Sequence, residues 1–284
     1  MRGFDPRVTP ARADLAAQFL EGKIVAPRYV EGRVHEVIAA QAPLRHEPRP
    51  DAPLLTEALR GERVTIYDEN EEGWAWGQLA ADHYVGWLPL SALAPPRAAP
   101  THKVAALRAY AFPGPSIKLP PLEALPFGAT LAVARTEDRM AVTDAGWYVP
   151  IVQLKPVGEN EPDFVAVAER FLGVPYLWGG KTALGLDCSG LLQIALTACG
   201  VACPRDTDMQ EAALGAPAAA ADYSNFKRGD LVFWKGHVAI VRDAANFLHA
   251  NAFHMAVAIE PIAAAIARIE AAGNAIAGVR RLAQ

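Results

Sequence analysis

A short segment that occurs twice is the feature that most restricts how this chain can fold. Gly86-Trp87-Leu88-Pro89-Leu90-Ser91-Ala92-Leu93 is matched by Gly146-Trp147-Tyr148-Val149-Pro150-Ile151-Val152-Gln153-Leu154, with one residue inserted. Each copy follows a strand-like run, and a Pro- and Ala-rich joint at residues 94–100 separates the copies. Two copies about sixty residues apart predict two small antiparallel β-barrels in tandem. The alternative is one larger β domain in which the two Gly-Trp pairs coincide by chance.

The sequence on either side of this β region has a different texture. Residues 11–40 carry helix-like patterning, with Leu15, Phe19 and Leu20 on one side and a more irregular stretch up to Ala40. From Glu161 onwards, helical segments precede a series of strand candidates, which is an α+β pattern. The predicted helices are residues 163–172 and 262–272, and the predicted strands are 230–234, 237–241, 247–250 and 275–282. We therefore predict an N-terminal helical segment (1–40), a first barrel (41–97), a second barrel (98–157) and an α+β domain (158–284).

Composition and charge exclude several classes of protein. The 284 residues are 52% hydrophobic and 20% charged, which is ordinary for a globular protein of about two domains. A net charge of −4 provides no basic field for nucleic acid or anionic lipid. No apolar run is long enough to cross a bilayer, and the first residues lack the apolar region of a secretory signal. We expect a cytoplasmic protein that neither binds nucleic acid nor inserts into membranes; its oligomeric state is not indicated.

The cysteine content indicates a reducing compartment. The chain has three cysteines, Cys188, Cys199 and Cys203, and an odd number without paired spacing argues against a disulfide framework. Cys199 and Cys203 could form half of a metal site, but no second half with suitable spacing is present. We therefore expect no metal and no other cofactor, and we interpret these two cysteines as packed residues.

Cys188 lies in a setting that suits a nucleophile. A glycine-punctuated loop at residues 175–187 delivers it to the first turn of an apolar segment. The unpaired backbone N–H groups and the helix dipole at such a position favour the thiolate. A cysteine nucleophile also needs a proton acceptor, which is usually held by a third polar group.

Two histidines are candidates for these partners. His237 opens the strand-like run His-Val-Ala-Ile-Val, and His249 follows twelve residues later at the end of another run. Adjacent antiparallel strands would bring the two rings side by side, with His237 as base and His249 orienting it. His254 is a competing third member that spacing alone does not exclude.

Five motifs occur in the order found in the NlpC-type cysteine peptidases, a branch of the papain-like superfamily. They are Tyr176–Gly180, Asp187–Leu191, Pro204–Gln210, Arg228–Leu231 and Gly236–Ile240. The resemblance covers residues 161–284 and is highly specific, and the Gly-Trp-x-Pro endings of the two repeats resemble bacterial SH3-like domains. With these domains ahead of it, the chain is similar to γ-D-glutamyl-L-diamino-acid endopeptidases. The implied fold is a papain-like α+β domain preceded by two SH3-like barrels.

The resemblance also implies roles for individual residues. The implied catalytic residues are Cys188 as nucleophile, His237 as base, His249 as orienting residue and Tyr176 as a group near the oxyanion. The implied substrate-binding residues are Asp206, Ser189, Thr207 and Trp178, together with Tyr84 and Glu57 from the first barrel. Asp206 would receive the free α-amine of the substrate, although it could instead cap a helix at residues 207–214. Trp178 could instead only shape the loop, and Asp187 is interpreted as a loop-fixing residue.

These roles lead to a specific expectation of function. The enzyme would hydrolyse the γ-D-glutamyl bond to a diamino acid in short murein peptides that have a free N-terminal L-Ala, in cell-wall peptide recycling. The first alternative is a secreted or phage-type peptidoglycan hydrolase anchored by its SH3-like domains. The second is a catalytically inactive protein that binds wall peptides.

Overall fold

The computed structural model describes residues 4–218 and 226–282 of a chain that divides into two units between Glu159 and Asn160. The strands of the first unit are β1 (Ala16–Ala17), β2 (Tyr29–Val30), β3 (Arg33–Val37), β4 (Gln41–Arg45), β5 (Leu54–Leu59), β6 (Arg63–Glu69), β7 (Trp74–Leu79), β8 (Val85–Pro89), β9 (Leu93–Ala94), β10 (His102–Val104), β11 (Arg108–Ala111), β12 (Glu123–Pro126), β13 (Thr130–Leu131), β14 (Val133–Glu137), β15 (Met140–Thr143), β16 (Tyr148–Pro150) and β17 (Leu154–Pro156). The elements of the second unit are α1 (Phe164–Glu169), β18 (Lys181–Thr182), β19 (Gly185–Leu186), α2 (Cys188–Ala198), α3 (Thr207–Ala213), β20 (Ala216–Pro217), β21 (Leu231–Trp234), β22 (His237–Val241), β23 (Asn246–Asn251), β24 (Ala256–Pro261), α4 (Ile262–Ala271) and β25 (Ile276–Arg281).

The two repeated Gly-Trp segments have the same local structure. In the first copy β8 leads into a 3-10 turn at Leu90–Ala92 and then into β9, which pairs with β3. In the second copy β16 leads into a 3-10 turn at Ile151–Gln153 and then into β17, which pairs with β10. The strands from β3 to β9 form one seven-stranded sheet, whereas β10 to β17 form three smaller sheets. Each set of sheets encloses its own apolar cluster, one around Leu44 and Leu88 and the other around Leu125 and Val149.

The N-terminal segment is not the helix that its pattern predicts. Within residues 4–40 the only helical element is a 3-10 turn at Gln18–Leu20, and β3 belongs to the sheet of the first barrel. The preceding residues form a strap on the outside of that barrel, where Leu15 and Leu20 pack against Tyr67 and Trp76. Phe19 is 57% exposed. The prediction was wrong because the apolar residues of the strap are buried by contacts with distant strands, and not along one helix face.

The second unit is built on one antiparallel sheet. Its strand order is β20-β25-β21-β22-β23-β24, and α2 packs against β22 and β23. The predicted strands and helices of residues 230–282 are present within a few residues of their predicted bounds, and Asp163 caps α1 by accepting hydrogen bonds from Val165 and Ala166. β24 was not predicted from the sequence. Among the residues described, no helix is long and apolar enough to cross a membrane, and no group of three His, Cys, Asp or Glu side chains is arranged to hold a metal ion.

Candidate active site

Asp187 fixes the loop that delivers Cys188 to the start of α2. Its carboxylate caps the helix by accepting from the Gly190 N–H at 2.7 Å, and it accepts from the Gly179 N–H of the loop at 2.8 Å. The loop lies so close to the helix that a Cβ on Gly190 would be 2.3 Å from the carbonyl oxygen of Gly180. Glycine is therefore required at position 190 for steric reasons. The helix start is held in place by a charged cap on one side and close backbone packing on the other.

A buried arginine completes this arrangement. Arg205 is 1% exposed and donates to both carboxylate oxygens of Asp187, at 3.0 and 2.8 Å. Its guanidinium also donates to the Ser189 hydroxyl at 2.7 Å, and Ser189 in turn donates to Asp187 at 3.1 Å. No role for Arg205 was predicted from the sequence. Its position within the Pro-Arg-Asp-Thr motif was the available signal, but only the fold shows that its partner is the residue before the cysteine.

Cys188 is the first residue of α2 and is 6% exposed. Burial, helped by the neighbouring Asp187 carboxylate, raises the pKa of its thiol to about 12. The backbone N–H groups of Val238 and Ser189 lower the pKa, as expected at a helix start, but burial outweighs them. The prediction that this position favours the thiolate is therefore wrong for the resting protein. The nucleophile rests as a thiol and needs a base to remove its proton.

The two predicted histidines meet on adjacent antiparallel strands. Nε2 of His237, at the start of β22, lies 2.9 Å from Nδ1 of His249 on β23. His237 directly precedes Val238, whose backbone N–H contacts the thiol of Cys188. Burial lowers the pKa of His237 to about 3 and also lowers that of His249, so both rings are neutral at pH 7. His254 instead places its Nδ1 2.9 Å from the side-chain oxygen of Asn251.

A carboxylate that the sequence analysis missed lies behind this pair. Oε2 of Glu260, on β24, is 3.0 Å from Nε2 of His249, and Arg268 on α4 donates to both oxygens of Glu260 at 3.1 and 2.7 Å. Burial alone would raise the pKa of Glu260, but the hydrogen bonds from His249 and Arg268 outweigh it and hold the pKa at about 2. Because no strand was predicted at residues 256–261, Glu260 could not be placed beside His249 from the sequence.

Tyr176 lies close enough to Cys188 for the two groups to interact electrostatically. Burial raises the pKa of its phenol well above the usual value, and the nearby Cys188 and Asp187 raise it further. The hydroxyl therefore stays protonated and can donate a hydrogen bond. A neutral donor beside the nucleophile is what a developing oxyanion requires.

The predicted substrate-binding residues of the second unit differ in exposure. Asp206 and Thr207 are half-buried at the start of α3, and Trp178 is 68% exposed. Asp206 occupies the N-cap position, but its side chain makes no capping hydrogen bond, so the capping interpretation is wrong for the carboxylate. Ser189 is buried, and its hydroxyl is engaged with Asp187 and Arg205. Of these four candidates, Trp178 is therefore the most exposed, Asp206 and Thr207 are partly accessible, and Ser189 is the least accessible.

The two candidates from the first barrel belong to the other unit. Glu57 lies on β5, is 5% exposed and accepts a hydrogen bond from the side chain of Gln41 at 2.8 Å. Tyr84 directly precedes β8 and packs in the apolar cluster of the barrel. Their contact with substrate remains a prediction.

Together these observations define a class of enzyme. A thiol at a helix start adjoins a hydrogen-bonded histidine pair at one end of an antiparallel sheet, which is the arrangement of a papain-like cysteine peptidase. The second unit belongs to the NlpC/P60 family, whose model matches residues 173–270. Residues 44–93 match a second model, described as the bacterial dipeptidyl-peptidase Sh3 domain. The chain therefore contains an NlpC/P60 cysteine-peptidase domain with an SH3-like domain ahead of it in the sequence.

Two known proteins are similar to this chain in sequence. Dipeptidyl-peptidase 6 of Lysinibacillus sphaericus is 28% identical over 238 residues, which are 76% of this chain and 86% of that protein. A γ-D-glutamyl-L-lysine dipeptidyl-peptidase of Bacillus subtilis is 36% identical over 110 residues, which are 36% of this chain and 34% of that protein. The chain therefore spans about a third of the second relative's length.

A solved structure has the same fold. The crystal structure of an NlpC/P60 family protein from Bacillus cereus superposes with a TM-score of 0.73 at 21% identity and covers 87% of this chain and 99% of that protein. Because the likeness extends over nearly the whole of both chains, it includes the strands ahead of the catalytic domain as well as that domain.

Proposed function

We propose that this enzyme hydrolyses the γ-D-glutamyl–diamino acid bond of short murein peptides that carry a free N-terminal L-Ala. The observation that carries the proposal is the hydrogen-bonded pair of His237 and His249 next to Cys188 at the start of α2. The names of the similar proteins support the choice of bond, since one is a γ-D-glutamyl-L-lysine dipeptidyl-peptidase.

The chemistry proceeds through a thioester. His237 accepts the thiol proton of Cys188 as sulfur attacks the γ-carbonyl carbon, and Tyr176 donates a hydrogen bond to the oxyanion. The C–N bond breaks as His237 gives the proton to the departing amine of the diamino acid. His237 then takes a proton from a water molecule while the water oxygen attacks the thioester carbon. The C–S bond breaks, the sulfur regains the proton, and the L-Ala-D-Glu dipeptide leaves.

Recognition of a free α-amine would restrict the enzyme to released fragments. We assign the amine to Asp206, with Thr207, Ser189 and Trp178 of the same unit as further candidates for substrate contact. A carboxylate facing a blocked amine would lose its partner, which is costly. Action on short released peptides fits a recycling role in the cytoplasm, which we propose for this protein.

Hydrolysis of defined peptides tests this proposal. The purified chain is incubated with L-Ala-γ-D-Glu-diaminopimelate and with the L-Lys counterpart, and products are identified by mass spectrometry. We expect L-Ala-D-Glu and the free diamino acid, and no turnover by Cys188→Ala. Asp206→Asn should raise KM for the peptide about tenfold or more, because a charged partner of the amine is lost. Asp208→Asn, an exposed residue of the same helix, is the matched control.

Two outcomes would contradict the proposal. Release of peptides from intact sacculi, with no cleavage of the short peptides, would indicate an anchored wall hydrolase. The second outcome is measured with a thiol-reactive probe. Cys199 and Cys203 serve as internal references for the labelling rate of Cys188. Labelling of Cys188 that is no faster than labelling of these two cysteines, and that is unchanged in His237→Ala, would indicate a protein without an activated nucleophile.

A further inference from the structure

We propose that Glu260, held by Arg268, is a positioning residue that sets the tautomers of His249 and His237, so that His237 presents an unprotonated Nδ1 to Cys188. The inference rests on the proposed roles of Cys188 and His237, and adds to them a carboxylate that touches neither substrate nor nucleophile. Hydrogen bonds join four side chains in the order Arg268, Glu260, His249 and His237.

The proton positions follow from what each group can donate. Arg268 donates to both carboxylate oxygens of Glu260, and an ionised carboxylate only accepts. Nε2 of His249, 3.0 Å from Oε2 of Glu260, must therefore carry a proton. A neutral His249 then has a lone pair on Nδ1, which is the atom that faces Nε2 of His237 at 2.9 Å.

The same logic fixes the ring of His237. Since Nδ1 of His249 accepts, Nε2 of His237 must donate, and its remaining nitrogen, Nδ1, carries the lone pair. That nitrogen is the one left for the Cys188 proton. If the carboxylate were absent, nothing in the hydrogen-bonding sequence would favour this tautomer over its reverse, in which Nδ1 of His237 already holds a proton and is no base.

The electrostatic surroundings are consistent with the assigned proton positions. The charged or titratable groups that act on the pair are Glu260 from β24, Arg268 from α4 and His254 from the turn after β23. Glu260 favours the protonated form of both histidines, and Arg268 disfavours it. When His237 takes the thiol proton, the positive charge is therefore offset by Glu260 through His249. Arg268 keeps Glu260 ionised, so the proton between them stays on His249.

Nitrogen NMR of the full-length protein tests the tautomers directly. In protein labelled with ¹⁵N-histidine, the ring-nitrogen shifts report which nitrogen carries the proton, and single His→Gln variants assign the signals. We expect both His237 and His249 to be protonated on Nε2 at pH 7. A proton on Nδ1 of His237 would overturn the proposal, even if Glu260 variants do not fold.

The pH dependence of Cys188 alkylation by iodoacetamide tests the role in reactivity. Glu260→Gln should slow alkylation on the order of tenfold at pH 7 and move the acid limb of the profile to lower pH, because the anion that favours protonated histidine is gone. Arg268→Gln should move the limb to higher pH. If the Glu260–Arg268 pair only connected α4 to β24, the two variants would not move the acid limb in opposite directions.

A matched pair elsewhere in the same unit provides the control. Glu161 is also buried and accepts a hydrogen bond from an arginine, Arg170, at 2.6 Å, and it is not one of the four side chains joined from Arg268 to His237. Glu161→Gln should leave the alkylation profile unchanged. The inference fails if Glu260→Gln has the same alkylation rate, the same acid limb and the same histidine tautomers as Glu161→Gln. The proposed function still stands in that case, provided that Cys188 and His237 remain essential for hydrolysis. If Cys188→Ala is active, the proposed function itself fails.

Discussion

Arg205 and Asp187 form the charged pair on which the presentation of Cys188 depends. The guanidinium is 1% exposed and binds both oxygens of a carboxylate that also caps α2 and holds the Gly179 amide. Ion pairs buried to this extent contribute little net stability compared with an apolar pair, but removing one partner leaves an unpaired charge in the interior. The pair therefore specifies one loop conformation more than it stabilises the fold as a whole.

Replacement of Arg205 by Met should lower the free energy of unfolding by about 3–5 kcal/mol, because the Asp187 carboxylate loses its buried partner. Arg170→Met is the matched control, since its pair with Glu161 is 38% exposed on the arginine side and should contribute about 1 kcal/mol or less. Urea denaturation measures the free energy of unfolding of both variants. Thiol accessibility is the signal, because all the cysteines lie in the second unit. Equal losses in the two variants would contradict this account.

At the scale of elements, the N-terminal strap and the first barrel share an apolar layer. Leu15 is fully buried against the barrel, and Arg12 stacks between Trp76 and Trp87, 4.9 Å from each ring centroid. Arg12 also pairs with Asp68 of β6. The Arg12 guanidinium therefore holds the strap in place through two aromatic contacts and an ion pair, in a segment with almost no regular secondary structure.

Leu15→Ala should destabilise the first barrel by about 2–5 kcal/mol, because a fully packed side chain is removed from this layer. Phe19→Ala should change the stability by no more than about 0.5 kcal/mol, although the helix-like pattern placed the two residues on the same face. Urea denaturation followed by tryptophan fluorescence compares the variants. A larger loss for Phe19→Ala would show that the strap is not packed as described.

The contrast between strap and barrels shows what a sequence can predict. The repeated Gly-Trp segments predicted similar structures because each forms through turns and strands that are close in sequence. The strap was mispredicted because its partners, Trp76 and Tyr67, are more than forty residues away. The same limit applies in the site. Motifs indicated Cys188 and His237, and strand spacing indicated His249 with His254 as a competitor, whereas only the pairing of β23 with β24 shows that Glu260 lies beside His249.

For the whole molecule, buried neutral histidines make stability dependent on pH. The pKa of His237 is lowered from 6.5 to about 3, and that of His249 is also lowered. Below about pH 6.5 the unfolded chain binds protons on these two residues and the folded chain does not, so the free energy of unfolding falls as the pH falls. Glu260, lowered from 4.5 to about 2, adds to this loss only below about pH 4.5.

Between pH 6.5 and 4.5, the pH dependence of the free energy of unfolding therefore reports on the histidine pair and not on Glu260. We expect the urea midpoint of the second unit to decrease across this window in the wild-type protein and to decrease less in the His237→Gln/His249→Gln double variant. A double variant with the same pH dependence as the wild type would show that the two rings do not rest neutral in the folded protein.

We propose that the second unit both cleaves the peptide, through Cys188, and selects a free amine, through Asp206. The measurement that tests it most directly is the ratio of kcat/KM for L-Ala-γ-D-Glu-diaminopimelate to that for its N-acetylated analogue. Because a site built for a charged amine strongly rejects an analogue without it, we expect a ratio on the order of 100 or more. Equal turnover of the two peptides would contradict the account.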